Sequence, residues 1–154
     1  MTTEQPPPVP TGPFLTAALI CQQVLQEKDG VLSVIRIIDQ LTHTIVARQM
    51  PEELPKVPFN LTFLISFKSG RARGRHSVVL GLEDPSGTKK ELFAHSLQLE
   101  GEHRGANWVI QASITFEMEG LYWFEVFLED RLVTRMPLRL VYQLVSPGAQ
   151  QQSR

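Results

Sequence analysis

The strongest constraint on this chain is a hydrophobic period of two. Between residues 59 and 68, Leu61, Phe63, Ile65 and Phe67 alternate with Asn60, Thr62, Ser66 and Lys68. Between 108 and 118, Trp108, Ile110, Ala112, Ile114, Phe116 and Met118 alternate with Gln111, Ser113, Thr115 and Glu117. Successive side chains of an extended strand point to opposite faces, so this pattern makes one apolar face and one wet one. A helix would instead repeat its apolar positions every three or four residues. No window of ten or more residues carries an amphipathic helical pattern with caps.

The remaining apolar runs are short and separated by turn residues. One covers 14–24. Another, 31–46, follows Lys28-Asp29-Gly30 and is expected to bend near Asp39. A connection bounded by Pro51, Pro55 and Pro58 follows, with a short turn expected at 51–54. Runs 76–83 and 89–99 flank Asp84-Pro85-Ser86-Gly87, where proline presets φ and glycine tolerates a positive one. Runs 121–129 and 133–145 flank Glu129-Asp130-Arg131, read as a three-residue hairpin loop. Seven to nine antiparallel strands in about 130 residues predict an all-β domain, either two packed sheets or a barrel. Glu119-Gly120-Leu121-Tyr122 favours the two-sheet antiparallel sandwich. Its G-x-Y spacing resembles the corner in which a tyrosine hydroxyl bonds back to the preceding connection. A glycine turn before an ordinary core tyrosine fits the same residues. The domain is expected to cover 14–146. A proline-rich leader, 1–13, should be disordered or extended, and a polar tail, 147–154, flexible.

Charge and cysteine content narrow the classes of function. The formal net charge is −1, so no global field favours nucleic acid or an anionic membrane. Cys21 is the single cysteine, which suits a reducing compartment. Three prolines stand where a secretory leader would place its apolar helix. The longest apolar runs fall far short of the roughly 20 residues needed to span a bilayer. The expectation is a cytoplasmic protein with no membrane partner.

No catalytic, metal or cofactor residue is assigned, and the chain is read as a non-enzyme. His43, His76, His95 and His103 show no metal-ligand spacing with one another or with Cys21. Cys21 shares strand parity with Ala17 and Leu19 and reads as an inert core thiol. There is no nucleophile elbow and no phosphate-binding glycine loop. Glu125 and Glu129 lie roughly 13 Å apart along a strand, too far for a glycosidase pair. Arg36 interrupts four aliphatic residues and is expected to face solvent.

Two surfaces stand out. Lys68, Arg71, Arg73, Arg75 and His76 crowd what reads as a hairpin tip, where the three arginines could hold phosphate or nucleic acid. A solvated turn explains them more simply, because no aromatics are interleaved to stack bases. In the closing hairpin, Tyr122, Phe124, Val126 and Leu128 take the inner face, which turns Trp123 and Phe127 outward beside Glu125. The expected pairing sets Arg139 opposite Trp123, an arginine–indole combination common at protein contacts.

The segments Ala18–Asp39 and Gly120–Arg139 resemble a family of small bacterial proteins of unknown function. That resemblance implies a bacterial or phage origin and an immunoglobulin-like sandwich, and it carries no activity. The resulting expectation is a module that works by contact with a protein, including a second copy of itself. Nucleic-acid or phosphate binding through Arg71, Arg73 and Arg75 is the alternative.

Overall fold

A computed structural model describes residues 5–148. Its seven strands are β1 (Phe14–Gln26), β2 (Leu32–Ile37), β3 (Gln40–Val46), β4 (Val57–Glu83), β5 (Lys89–Phe116), β6 (Gly120–Leu128) and β7 (Arg131–Val145). None of the described residues is helical, so the all-β expectation is met. The first four residues of the leader and residues 149–154 of the tail lie outside the described residues.

The strands form one curled, mixed sheet in the order β2-β1-β4-β6-β7-β3, with β5 paired to β4. Curling centres on β4, which has 27 residues. Its first half pairs with β1, from Cys21↔Thr62 to Phe14↔Lys68. Its second half pairs with β6, from Val78↔Leu128 to Glu83↔Trp123. β5 follows the other edge of β4 through both halves. The two apolar faces therefore close on each other, and Phe63 of the first half meets Phe124 with ring centroids 4.8 Å apart.

Runs 59–68 and 76–83, which read as separate strands, are one strand with a bend. Gly70 and Gly74 adopt φ values of +57° and +90°, a region that glycine enters at little cost, and the ladder to β5 shifts register there. Runs 89–99 and 108–118 are likewise both parts of β5. Arg71, Arg73 and Arg75 therefore sit in the middle of a strand and not at a hairpin tip.

A second correction concerns strand direction. β3 and β7 are parallel, from Gln40↔Arg139 to Val46↔Val145, so the sheet is not wholly antiparallel. The run 31–46 does break near Asp39, but its halves go to different neighbours. Ile38 N–H donates to Ile20 O (2.8 Å), and Arg139 N–H donates to Asp39 O (3.0 Å). Over two residues the chain changes partner from β1 to β7.

The apolar faces are where the sequence put them, but Thr62, expected on the wet face, is buried, as is Leu64, because β1 and β5 cover β4 on both edges there. Leu61, Phe63, Ile65 and Phe67 are buried, as are Tyr122, Phe124, Val126 and Leu128. Ile110, Ile114 and Phe116 join them, with Trp108, Ala112 and Met118 packed at the margin. The Tyr122 hydroxyl donates to Met118 O at 2.6 Å and accepts from Met118 N–H at 3.2 Å. This is the back-bonded tyrosine that the G-x-Y spacing suggested. Its removal from water pushes the Tyr122 phenol up from its ordinary pKa.

Candidate functional site

The outer face of β6 carries Trp123, Glu125 and Phe127, because their neighbours in sequence fill the core. Trp123 and Phe127 are partly buried. Glu125 departs from the sequence reading: although it points outward, it is only 3% exposed. Gly81 lies opposite it on β4 and has no side chain to hold the carboxylate up. The β7 residue opposite Glu125 is Arg135.

Glu125 is held from two sides, by Arg135 Nε at 3.1 Å and Lys89 Nζ at 3.3 Å. Both cations also reach Glu83 on β4. Two carboxylates and two cations thus form a charge-balanced cluster, and the buried charge is compensated as its burial demands. Arg135 also lies over Trp123, with its guanidinium carbon 4.4 Å from the ring centroid. Beside the cluster, Val79, Gly81 and Phe127 floor a shallow groove of about 400 Å³.

Arg139 is not the arginine that meets Trp123. The hairpin turns on two residues, Glu129 and Asp130, both at positive φ, and a bulge lies between Val126 and Phe127. This register sets Pro137 opposite Trp123 and Arg139 opposite Leu121. Arg135, diagonal to Trp123, supplies the stack. Glu83, Lys89 and Arg135 belong to this face and were missed, since each comes from a different strand. The Arg–Trp composition was the one local hint.

The three arginines of β4 are exposed, as expected, and among the described residues none forms an ion pair. Arg73 lies opposite Glu100 and donates to its carbonyl at 2.6 Å. Glu102 lies opposite Gly70, and Glu100 also pairs with Arg104 at 2.9 Å. Arg36 is exposed, with φ at +55°.

The histidines are scattered. His43 meets Tyr142 edge-on, His95 stacks on Trp108, and His76 reaches Glu129 at 3.2 Å. Among the described residues no three His, Cys, Asp or Glu side chains gather as metal ligands. No helix of the described residues is long and apolar enough to cross a membrane.

Cys21 is fully buried, in register between Ile37 of β2 and Thr62 of β4. Its burial pushes the thiol pKa up, against a weaker opposing hydrogen bond from Gln23. Less thiolate is then present near neutrality, and the sulfur is covered. Labelling by a thiol reagent is expected to run at least about tenfold slower in the folded protein than in denaturant. Equal rates would remove the inert-thiol reading.

Solved structures match this chain at low identity. A β-glucosidase from Listeria innocua matches at 10% identity and TM-score 0.49, over 70% of this chain and 15% of its own length. The alkylpurine DNA glycosylase AlkC of Pseudomonas fluorescens, bound to DNA with an abasic-site analogue, matches at 11% identity and TM-score 0.39. That match covers 64% of this chain and 27% of the glycosylase. An immunoglobulin-like protein from Pseudomonas aeruginosa matches at 14% identity and TM-score 0.34, over 81% of this chain and 97% of its own. This chain thus spans well under a third of the two enzymes. No curated protein matches the sequence. Residues 16–141, nearly the whole of the strand-bearing region, match the model of a family of unknown function, DUF6941, and the chain belongs to that family.

Proposed function

We propose that this domain is a non-enzymatic protein-interaction module, an immunoglobulin-like sandwich in architecture, that meets its partner through the outer face of β4, β6 and β7. The observation that carries the reading is the pair Trp123 and Phe127, partly exposed on either side of the buried Glu125. Large aromatics beside an arginine are the composition that dominates binding energy at protein contacts. Arg135 and Lys89 hold the face in one shape before a partner arrives, which lowers the entropy lost on binding. The back-bonded Tyr122 supports the sandwich architecture. A bacterial or phage cytoplasm is the proposed setting, supported by the single buried thiol and by the resemblance that the sequence carries.

Binding of phosphate or nucleic acid through Arg71, Arg73 and Arg75 has one observation in its favour, the exposure of all three. Against it stand the formal net charge of −1 and the lack of interleaved aromatics to stack bases. The aromatic face is therefore preferred.

The test is the double variant Trp123→Ala/Phe127→Ala, used as bait in its native cell beside the wild-type chain. The expected result is a partner protein held by the wild type and lost by the variant, whose thermal midpoint falls by only a few degrees because both side chains are partly exposed. If the partner is retained, or if the variant unfolds like a core truncation, this face is not the contact.

A further inference from the structure

Every residue from Gln5 to Pro10 is a proline or stands directly before one. Proline fixes its own φ near −65°, and its ring drives the preceding residue out of the helical region. The run therefore favours polyproline II, a left-handed helix of three residues per turn with its backbone open to water. The structure agrees. Residues 5–11 are exposed and lie in no strand, and among the described residues none of 5–10 makes a backbone hydrogen bond. Three residues per turn set Pro7 and Pro10 on one ridge and Pro6 and Val9 on the next. Val9 is 84% exposed. Such a rod offers apolar ridges and free carbonyl acceptors, and its rings leave it little conformational freedom to lose on binding. Grooves lined with aromatic rings recognise this combination.

The rod is held at its root. Arg71 N–H donates to Thr11 O at 2.8 Å. Gly12 packs so closely on the bend of β4 that a Cβ there would lie 2.6 Å from Ser69 O. Ser69 is itself fully buried, and its hydroxyl donates to Arg104 O at 2.7 Å, which ties the bend to β5. Positive charge gathers at the same root. The pairing of β4 with β5 brings Lys68, Arg71, Arg73, Arg75 and Arg104 to the bend against Glu100 and Glu102, and Glu100 is already paired with Arg104. The exposed guanidinium groups of Arg71 and Arg73 are thus left to meet carboxylates on another molecule, which their planar donors fit.

We infer that Gln5–Pro10 is a recognition segment for a partner domain whose groove is lined with aromatic rings and rimmed with carboxylates at one end. The proline ridges fill the groove. The arginines beside Thr11 meet the rim and so fix the direction in which the rod lies. This contact is independent of the aromatic face of β6 and does not require Trp123.

The probe is a panel of purified SH3-type domains, which carry an aromatic groove of this kind, chosen for acidic rims and titrated with the full chain by calorimetry. Saturable one-to-one binding is expected. Pro7→Ala/Pro10→Ala should weaken it at least about tenfold with an unchanged thermal midpoint, because the exposed rod adds nothing to the core. Arg71→Glu/Arg73→Glu should weaken it severalfold and remove most of its salt dependence. Trp123→Ala should leave the affinity as it is. A panel without a binder, an affinity indifferent to the prolines, or an affinity indifferent to the arginines would each overturn the inference. Binding lost in Trp123→Ala and kept in the proline variant would overturn it in favour of the aromatic face. A native partner lost by Trp123→Ala/Phe127→Ala, with the panel still bound, bears only on the aromatic face.

Discussion

Replacing Phe63 with alanine is expected to cost about 3–5 kcal/mol of stability, the range for truncating a buried aromatic. Phe63 and Phe124 are both fully buried, with their rings tilted 51° across the interior. They come from the two parts of the sheet that fold toward each other, the first half of β4 and β6. Truncation therefore opens a cavity at the contact that closes the curl, and neither strand can collapse into it without breaking its own ladder. A loss of this size takes much of the roughly 5–15 kcal/mol that holds a domain of this kind together. Phe93→Ala is the control: Phe93 is 37% exposed on the edge strand, and its truncation should cost about 1 kcal/mol or less. Urea titrations of both variants, compared at equal slope, check the pair. Similar costs for Phe63→Ala and Phe93→Ala would mean that the closure depends on something other than this aromatic contact.

Arg135→Ala should be the most damaging change outside the core, at about 2–3 kcal/mol. It removes one of two partners from a buried carboxylate, and an uncompensated buried charge is the source of most of the cost. Lys89 remains 3.3 Å from Glu125 and limits the damage. Lys89→Ala should cost about 1 kcal/mol or less, because its own side chain is mostly exposed and screened. Replacing both members of the pair, Arg135→Met with Glu125→Leu, should recover most of the loss, since the buried charge disappears with its partner. Arg135→Ala also lifts a cation off Trp123, so the indole fluorescence should shift to the red as water reaches the ring. Full wild-type stability in Arg135→Ala would mean that Glu125 is satisfied without it. Failure of the double replacement to recover stability would mean that Arg135 acts through packing on Trp123 and not through charge.

What the sequence determined by itself was everything that depends on a strand's own alternation. Leu61 to Phe67 and Tyr122 to Leu128 took their faces because side chains two residues apart share a side, whichever strand lies next to them. Trp123 and Phe127 faced outward for the same reason. The Tyr122 hydroxyl found Met118 because only four residues separate the start of β6 from the connection that leads into it. What tertiary structure decided was how distant strands meet. Whether Gly70 and Gly74 end a strand or bend one depends on β5 remaining paired across the bend. The parallel union of β3 with β7 joins residues 99 positions apart, which no local pattern encodes. Arg135 rather than Arg139 reached Trp123 because a two-residue turn and a single bulge set the register. Glu125 was buried because Gly81, Lys89 and Arg135 converged on it from three other strands. Alternation is a property of each residue and its neighbours along the chain. Register and convergence are properties of pairs far apart in sequence, fixed only when the whole sheet closes.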